Sequence, residues 1–466
     1  MDHTPVQNHS GADLFSEQTE LDRRLGLTEA LSIVFGRIIG SGIFRTPGPI
    51  LLLTASVGLF YGVWIVGGLV TLLSAFCYAE LVAMMPKSGG PYAYLKAAYP
   101  PVWTFLRGWA MFFVSETGAI AAVALVFAEY FHAFYFSAFG VHLARVYEIG
   151  LALAAIWLLT LVNCFGIALS GKVQNLFSSV KFIALLVIVA VCFSRNGNPA
   201  HLTMELWPDK MDFSAMLAFG AAMRYGFFAY SGWEGATYVA EEVKQPRKNL
   251  PLSIILGISG IILLYLAVNT AYLLQLTPEM VRHSRWVATD AMRNALGVSG
   301  GVFIAFAVMI NTFGNISTQV LCKARTWYAM ARDGLFIKAL SRLDARYKTP
   351  NRALLVQGAW ATVLLLAAAL AGHAYEAIID FFSFTSAVFN ISTFTAIWVL
   401  RRKYPDAPRP FRVPWYPYTL ILVVLIHIWF MAVTVISAPI PSLLGVLLTC
   451  TGLVYYYRGR LFRGFH

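Results

Sequence analysis

Hydrophobic and polar residues do not alternate along this chain; they segregate into long apolar runs separated by short polar stretches. A helix needs about 20 apolar residues to cross the hydrocarbon core of a bilayer. Twelve runs approach or exceed that length, over 28–54, 57–85, 101–131, 147–169, 174–194, 213–240, 251–275, 299–325, 353–371, 377–400, 416–436 and 441–457. A membrane barrel would show short alternating strands instead. The pattern therefore predicts an all-α membrane protein with twelve transmembrane helices. The first run follows a polar tail over 1–27 and has no small-residue cleavage site after it, so it reads as a span and not as a removed signal.

Composition excludes other classes. Of 466 residues, 58% are hydrophobic and 12% charged, with a mean hydropathy of +0.66; a soluble domain carries about 25% charged residues. An ordinary soluble enzyme, a disordered chain and a secreted disulfide scaffold do not fit. The formal net charge of +12 raises the question of nucleic acid, and the distribution of charge answers it. With the N-terminus in the cytoplasm, cytoplasmic loops and tails hold 24 Lys and Arg, and outer loops hold 6. Such a bias sets orientation. Both termini are expected in the cytoplasm of a multi-pass protein of the plasma (inner) membrane. The lipid bilayer then accounts for the basic character, with no nucleic acid partner.

Cys77, Cys164, Cys192, Cys322 and Cys450 all fall inside apolar spans, which fits small apolar packing residues and not a disulfide framework. Every histidine except His427 falls in a loop or tail, and neither HExxH nor a Cys/His metal spacing occurs. No metal, no cofactor and no enzymatic constellation is expected.

Two spans are interrupted. The first contains Gly36-Arg37-Ile38-Ile39-Gly40-Ser41-Gly42-Ile43-Phe44, with Pro47 and Pro49 close behind. The sixth contains Phe228-Ala229-Tyr230-Ser231-Gly232-Trp233-Glu234-Gly235. Glycine tolerates unusual dihedrals, and proline cannot continue the helical ladder. One such break would fit close helix packing equally well, but two in corresponding positions point to a transporter binding site. The spacing fits two five-helix repeats, 28–194 and 213–402, then two helices over 403–457 and a cytoplasmic tail over 458–466. Five is odd, so the second repeat must enter the membrane in the opposite sense. Irregular backbone at membrane depth survives only around a protein-lined cavity, so 40–44 and 230–235 should face each other across one.

The half-helix beginning near Gly42 offers free N–H groups and a positive dipole end to a carboxylate. The half-helices ending near Ile38 and Phe228 offer free carbonyls to an ammonium. A ligand bearing both groups side by side is an α-amino acid.

Further motifs follow in order: Tyr78-Ala79-Glu80-Leu81, Pro86-Lys87-Ser88-Gly89-Gly90, Glu241-Glu242 before Pro246-Arg247-Lys248-Asn249-Leu250-Pro251, and Ala331-Arg332-Asp333-Gly334. Together with 40–44 and 228–233, they make the chain resemble the amino acid–polyamine–organocation (APC) superfamily. Within it, the chain is most similar to the L-type amino acid transporters and their bacterial relatives. The resemblance implies a leucine-transporter-type inverted repeat and secondary transport of neutral L-amino acids, by sodium-independent exchange with alternating access. By position, it implies a substrate site of Ile38, Gly40, Ser41, Gly42, Ile43, Phe228, Ala229 and Ser231. Ser41 and Gly42 would receive the carboxylate, and the carbonyls of Ile38, Phe228 and Ser231 the amine. Phe228 is then either an aromatic gate, as the resemblance implies, or plain core packing. Lys181 either snorkels to the interface or, as the resemblance implies and we expect, stands where sodium-coupled relatives bind a cation. Eukaryotic L-type members are linked to a heavy chain through a cysteine between spans three and four. The corresponding loop here, about 132–146, has none, so no disulfide-linked heavy chain is expected.

Charges at membrane depth are functional candidates by default. Arg37, Glu116, Arg224 and Glu234 lie at or near the expected pocket. Arg37 is expected to pair with Glu234, because an unpaired charge there is costly. That pair either locks the broken helices, senses protons or tunes side-chain choice. Glu116 either lines the side-chain pocket or bonds a neighbouring helix, and Glu80 reads as a loop tether. Two rivals stay open: proton-coupled symport through Glu116 and Glu234, and cationic amino acid or polyamine antiport if those carboxylates line the pocket unpaired. A channel has no carbonyl filter or charge ring to run on.

Overall fold

The computed structural model describes residues 15–16, 23–87, 90–165, 167–195, 197–208, 210–347, 349–370 and 374–463. Most of the tail over 1–27, residues 88–89 of the 86–90 motif, His373 and residues 464–466 lie outside these. Among the described residues the regular elements are helical, and Leu25 and Val243 form one isolated parallel bridge. In chain order the membrane helices are α1 (Leu27–Ile38, resuming at Gly42–Arg45), α2 (Val57–Met84), α3 (Pro101–Phe139) and α4 (Arg145–Cys164). They continue as α5 (Ile167–Ser194), α6 (Phe213–Ala229, resuming as a 3₁₀ helix at Trp233–Glu242), α7 (Pro246–Gln275) and α8 (Val298–Arg332). The last four are α9 (Asn351–Leu370), α10 (Ala374–Lys403), α11 (Tyr418–Ser437) and α12 (Pro439–Arg463). Ten helices among the described residues are long and apolar enough to cross a membrane. Helix α5 and the broken α6 complete the predicted twelve.

Two boundaries correct the expectation. Helix α3 runs on to Phe139 and α8 to Arg332, so His132 lies on α3, and Lys323 and Arg325 lie on α8, not in loops. These helices continue because the protein supplies partners: His132 bonds Glu148, and Lys323 pairs with Glu116. Without Lys323 and Arg325, the cytoplasmic count is 22 against 6, and the orientation bias stands.

The two broken helices pack on each other, α7 lies along α2, α8 along α3 and α9 along α4. Each of these helices meets the one five places further on. Between α2, α6 and α7 the rings of Trp64, Tyr230 and Tyr265 interlock, with centroids 5.2, 5.7 and 6.0 Å apart. On α12, Ile440, Leu443, Leu444 and Leu447 are exposed, as a lipid-facing surface demands. Glu80 on α2 accepts from Arg401 Nε (2.8 Å), Arg401 Nη2 (2.7 Å) and the Val413 amide (2.7 Å). It ties the segment between α10 and α11 to the bundle, as a tether should. Cys77, Cys164, Cys192 and Cys450 are free thiols.

Candidate functional site

Helix α1 stops at Ile38 and resumes at Gly42; α6 stops at Ala229 and resumes at Trp233. Glycine makes both breaks possible. Gly232 holds φ +96°, a conformation that costs other residues strain. A Cβ on Gly42 would stand 2.5 Å from Ala229 Cα, and one on Gly232 would stand 2.7 Å from the Arg37 carbonyl. The two interruptions therefore touch backbone to backbone.

Broken helices leave orphan carbonyls and amides. The wholly buried Tyr265 of α7 reaches both broken ends, its hydroxyl 3.0 Å from Ile38 O and 3.2 Å from Ala229 O. Ser231 turns back on the Phe228 carbonyl, donating from Oγ (2.7 Å) and from its amide (3.1 Å). Both lone pairs of Phe228 O are then engaged, while Ile38 O retains one. On the other side of the break, the amides of Gly42 and Ile43 are first-turn positions without an intrahelical acceptor. The Ser41 hydroxyl beside them is buried and has no hydrogen-bond partner among the described residues.

A cavity of about 1100 Å³ borders both breaks. Ile38, Gly40, Ser41, Gly42, Phe228, Ala229 and Ser231 line it, whereas the Ile43 side chain is wholly buried in the core. The walls continue to the exposed Thr28 and Glu29 at the start of α1, and the cavity opens there. Its opposite end is shut. Phe228 packs edge-on against Tyr375 and obliquely against Phe382, both at 5.8 Å. Nearby, Arg45 binds Glu129 of α3 (2.8 Å) and Glu376 of α10 (3.0 Å), with its guanidinium 5.1 Å from the Tyr375 centroid. Arg285 extends this mesh to Glu148 (3.0 Å) and Glu129 (3.4 Å), and His132 bonds Glu148.

Charges line the cavity as well. The Arg37 guanidinium lies 5.2 Å from the Tyr238 centroid, and Glu234, four residues before Tyr238, borders the same space. Lys181 donates to the Gly36 carbonyl, two residues ahead of the α1 break. Arg224 pairs with Asp380 of α10 at 2.7 Å. Glu116 pairs with Lys323, whose ammonium also reaches the Glu116 carbonyl (3.2 Å) and Gln319 Oε1 (2.7 Å).

The Amino acid permease family profile matches residues 25–454. The chain belongs to that family. The permease is 31% identical over 442 residues to the b(0,+)-type amino acid transporter 1 of Mus musculus, covering 94% of this chain and 88% of that protein. It is 32% identical to the Large neutral amino acids transporter small subunit 2 of Oryctolagus cuniculus, covering 98% of this chain and 86% of that one. It is also 32% identical to the Asc-type amino acid transporter 1 of Mus musculus, over 96% of this chain and 83% of that one. It is thus a multi-pass membrane transporter of amino acids and not an enzyme.

Several residues in or beside the permease's cavity escape a reading of sequence. Lys323 counts there among the cytoplasmic charges, yet Asn315, Gln319 and Lys323 fall four apart and form a polar stripe along α8, which is the signal that marks them. Asp380 interrupts the apolar run over 377–400 as a charge at membrane depth. Tyr265 carries no such mark, because a tyrosine in an apolar run reads as core.

Proposed function

We propose that the permease is a sodium-independent exchanger of neutral L-amino acids, working by alternating access around the α1 and α6 breaks. One observation carries this: a cavity lined by Gly42, whose amide opens the resumed half of α1, and by Ile38, whose carbonyl keeps a free lone pair. Amides match a carboxylate and carbonyls an ammonium, so the site is complementary to the backbone of an amino acid. In this scheme, Ser41 and Gly42 hold the carboxylate, the Ile38 and Ser231 carbonyls hold the amine, and Phe228 closes over the substrate. The rabbit relative is named as a transporter of large neutral amino acids, which supports the substrate class.

The Lys181 ammonium on the Gly36 carbonyl supports independence from sodium, since it puts a fixed positive charge against the α1 break. The pairing of Glu116 with Lys323 argues against cationic substrates. With the N-terminus in the cytoplasm of the plasma membrane, the open end at Thr28 and Glu29 faces inward, and the ionic mesh faces out. The two repeats, 28–194 and 213–402, are the units that would rock. The loop between α3 and α4, 140–144, offers no cysteine, which supports a protein working without a disulfide-linked heavy chain.

Uptake of labelled L-leucine into proteoliposomes, without sodium and with or without internal leucine, tests this. Uptake that needs internal substrate is expected. Uptake into empty vesicles driven by an inward proton gradient would overturn exchange in favour of symport.

A further inference from the structure

We propose that Glu116 and Lys323 act together as a charge filter for the substrate side chain, two opposite charges that satisfy each other and so leave neither of the two free to bind a charged side chain. This rests on the transport reading above. The pair spans the cavity-lining faces of α3 and α8, and both residues border the same space as the two breaks. Their side chains are 23% and 9% exposed, so the carboxylate is the half that an occupant of the cavity meets.

Local backbone explains how Glu116 comes to be there. Residues Met111–Ser115 form a π-helical turn inside α3, and the amide of Glu116 bonds back to Met111 O. A π-turn inserts one residue into the helical register, so everything after it is rotated relative to a regular helix. The first residue after the insertion is the charged one. Lys323 is held from its own helix: its ammonium donates to Gln319, and Gln319 donates to Asn315 Oδ1 at 2.8 Å. Asn315 in turn abuts the α1 break, since a Cβ on Gly40 would stand 2.7 Å from its Nδ2. The filter and the backbone-binding break are joined by one polar chain.

The physics is a difference of affinities. A cationic side chain entering the cavity must compete with Lys323 for Glu116, and an anionic one with Glu116 for Lys323. Neither recovers the hydration it gives up, because its partner is already bonded. A neutral side chain disturbs nothing. Removing one member reverses the situation, since the survivor is then a shielded charge that only a complementary substrate can satisfy.

Uptake of labelled L-leucine, L-arginine and L-glutamate by the full-length chain in proteoliposomes reads this directly. Lys323→Gln should raise the arginine-to-leucine ratio, and Glu116→Gln the glutamate-to-leucine ratio, each by about tenfold, the ratio of one moderate interaction. The double variant Glu116→Gln with Lys323→Gln should bring the preference back to leucine. Single variants that fold and keep the wild-type ratios overturn the proposal and make the pair a strut between α3 and α8. If a single variant is too unstable to reconstitute, its melting temperature in detergent is compared across the three amino acids at equal concentration. Arginine should then protect Lys323→Gln more than leucine does, and equal protection overturns the filter. A wild-type chain that moves no leucine sinks the transport reading instead, and the melting comparison still decides the filter.

Discussion

The two ends of the α1–α6 pair are built from similar ingredients, yet one is open and the other shut. At the open end, the charges line the cavity wall and the walls run out to the exposed Thr28 and Glu29. At the shut end, Arg45, Glu129, Glu376, Arg285, Glu148 and His132 bond one another across α1, α3, α4, α10 and the segment before α8. The contrast shows what suits a reversible closure. An interdigitated apolar core transmits strain and resists rearrangement. Ion pairs exchanged for hydration come close to thermodynamic balance, so a seal made of them can open without a large net cost. The aromatic contacts of Phe228 with Tyr375 and Phe382 lie beside that seal.

The largest effect should come from the shut end. Arg45→Met leaves the Glu129 and Glu376 carboxylates shielded with their shared cation gone, which should lower stability by about 3 kcal/mol. The denaturation midpoint in detergent measures it, and an unchanged midpoint would mean that the mesh does not hold the shut end. Next comes the contact between the breaks. Gly42→Ala puts a methyl against Ala229 backbone, which cannot yield as a flexible side chain would; overpacking of about 2 kcal/mol should cut uptake about thirtyfold. Wild-type uptake by this variant would show that the two breaks need not touch.

Tyr265→Phe is gentler. It removes one hydroxyl shared by the Ile38 and Ala229 carbonyls, a loss of about 1 kcal/mol. The expected outcome is a leucine KM raised about fivefold, read from initial uptake rates, and an unchanged KM would detach α7 from the site. Ser231→Ala should matter least. It frees one lone pair of Phe228 O and should shift KM by less than about threefold. A larger rise would give the Ser231 hydroxyl a direct contact with substrate.

Much of this site was legible in the sequence, because a broken membrane helix needs residues that announce it. Gly40, Gly42 and Gly232 fall where the chain stops being helical, and Ser41 sits between two of them. The substrate-site residues named from sequence line the cavity, apart from the Ile43 side chain, which turns into the core. What was not legible depends on who faces whom. Glu116 was visible as a costly charge, but its partner lies 207 positions away on α8. Lys323 was counted with the cytoplasmic charges because it stands at the end of its apolar run, and the run alone does not show that a carboxylate waits for it. Tyr265 gave no signal, since one hydroxyl changes an apolar run very little.

The sequence by itself determined that this is a helical membrane protein, where its helices lie and which two of them break. Those properties follow from the bilayer, a uniform solvent that prices each residue by its own polarity and each backbone group by its own hydrogen bond. Only the tertiary structure decided that the Tyr265 hydroxyl reaches both broken ends, that Glu116 meets Lys323, and that one end is sealed by charge while the other end is open. Those are pairings between residues far apart in the chain, and the energy of a buried charge or an orphan carbonyl depends on its partner.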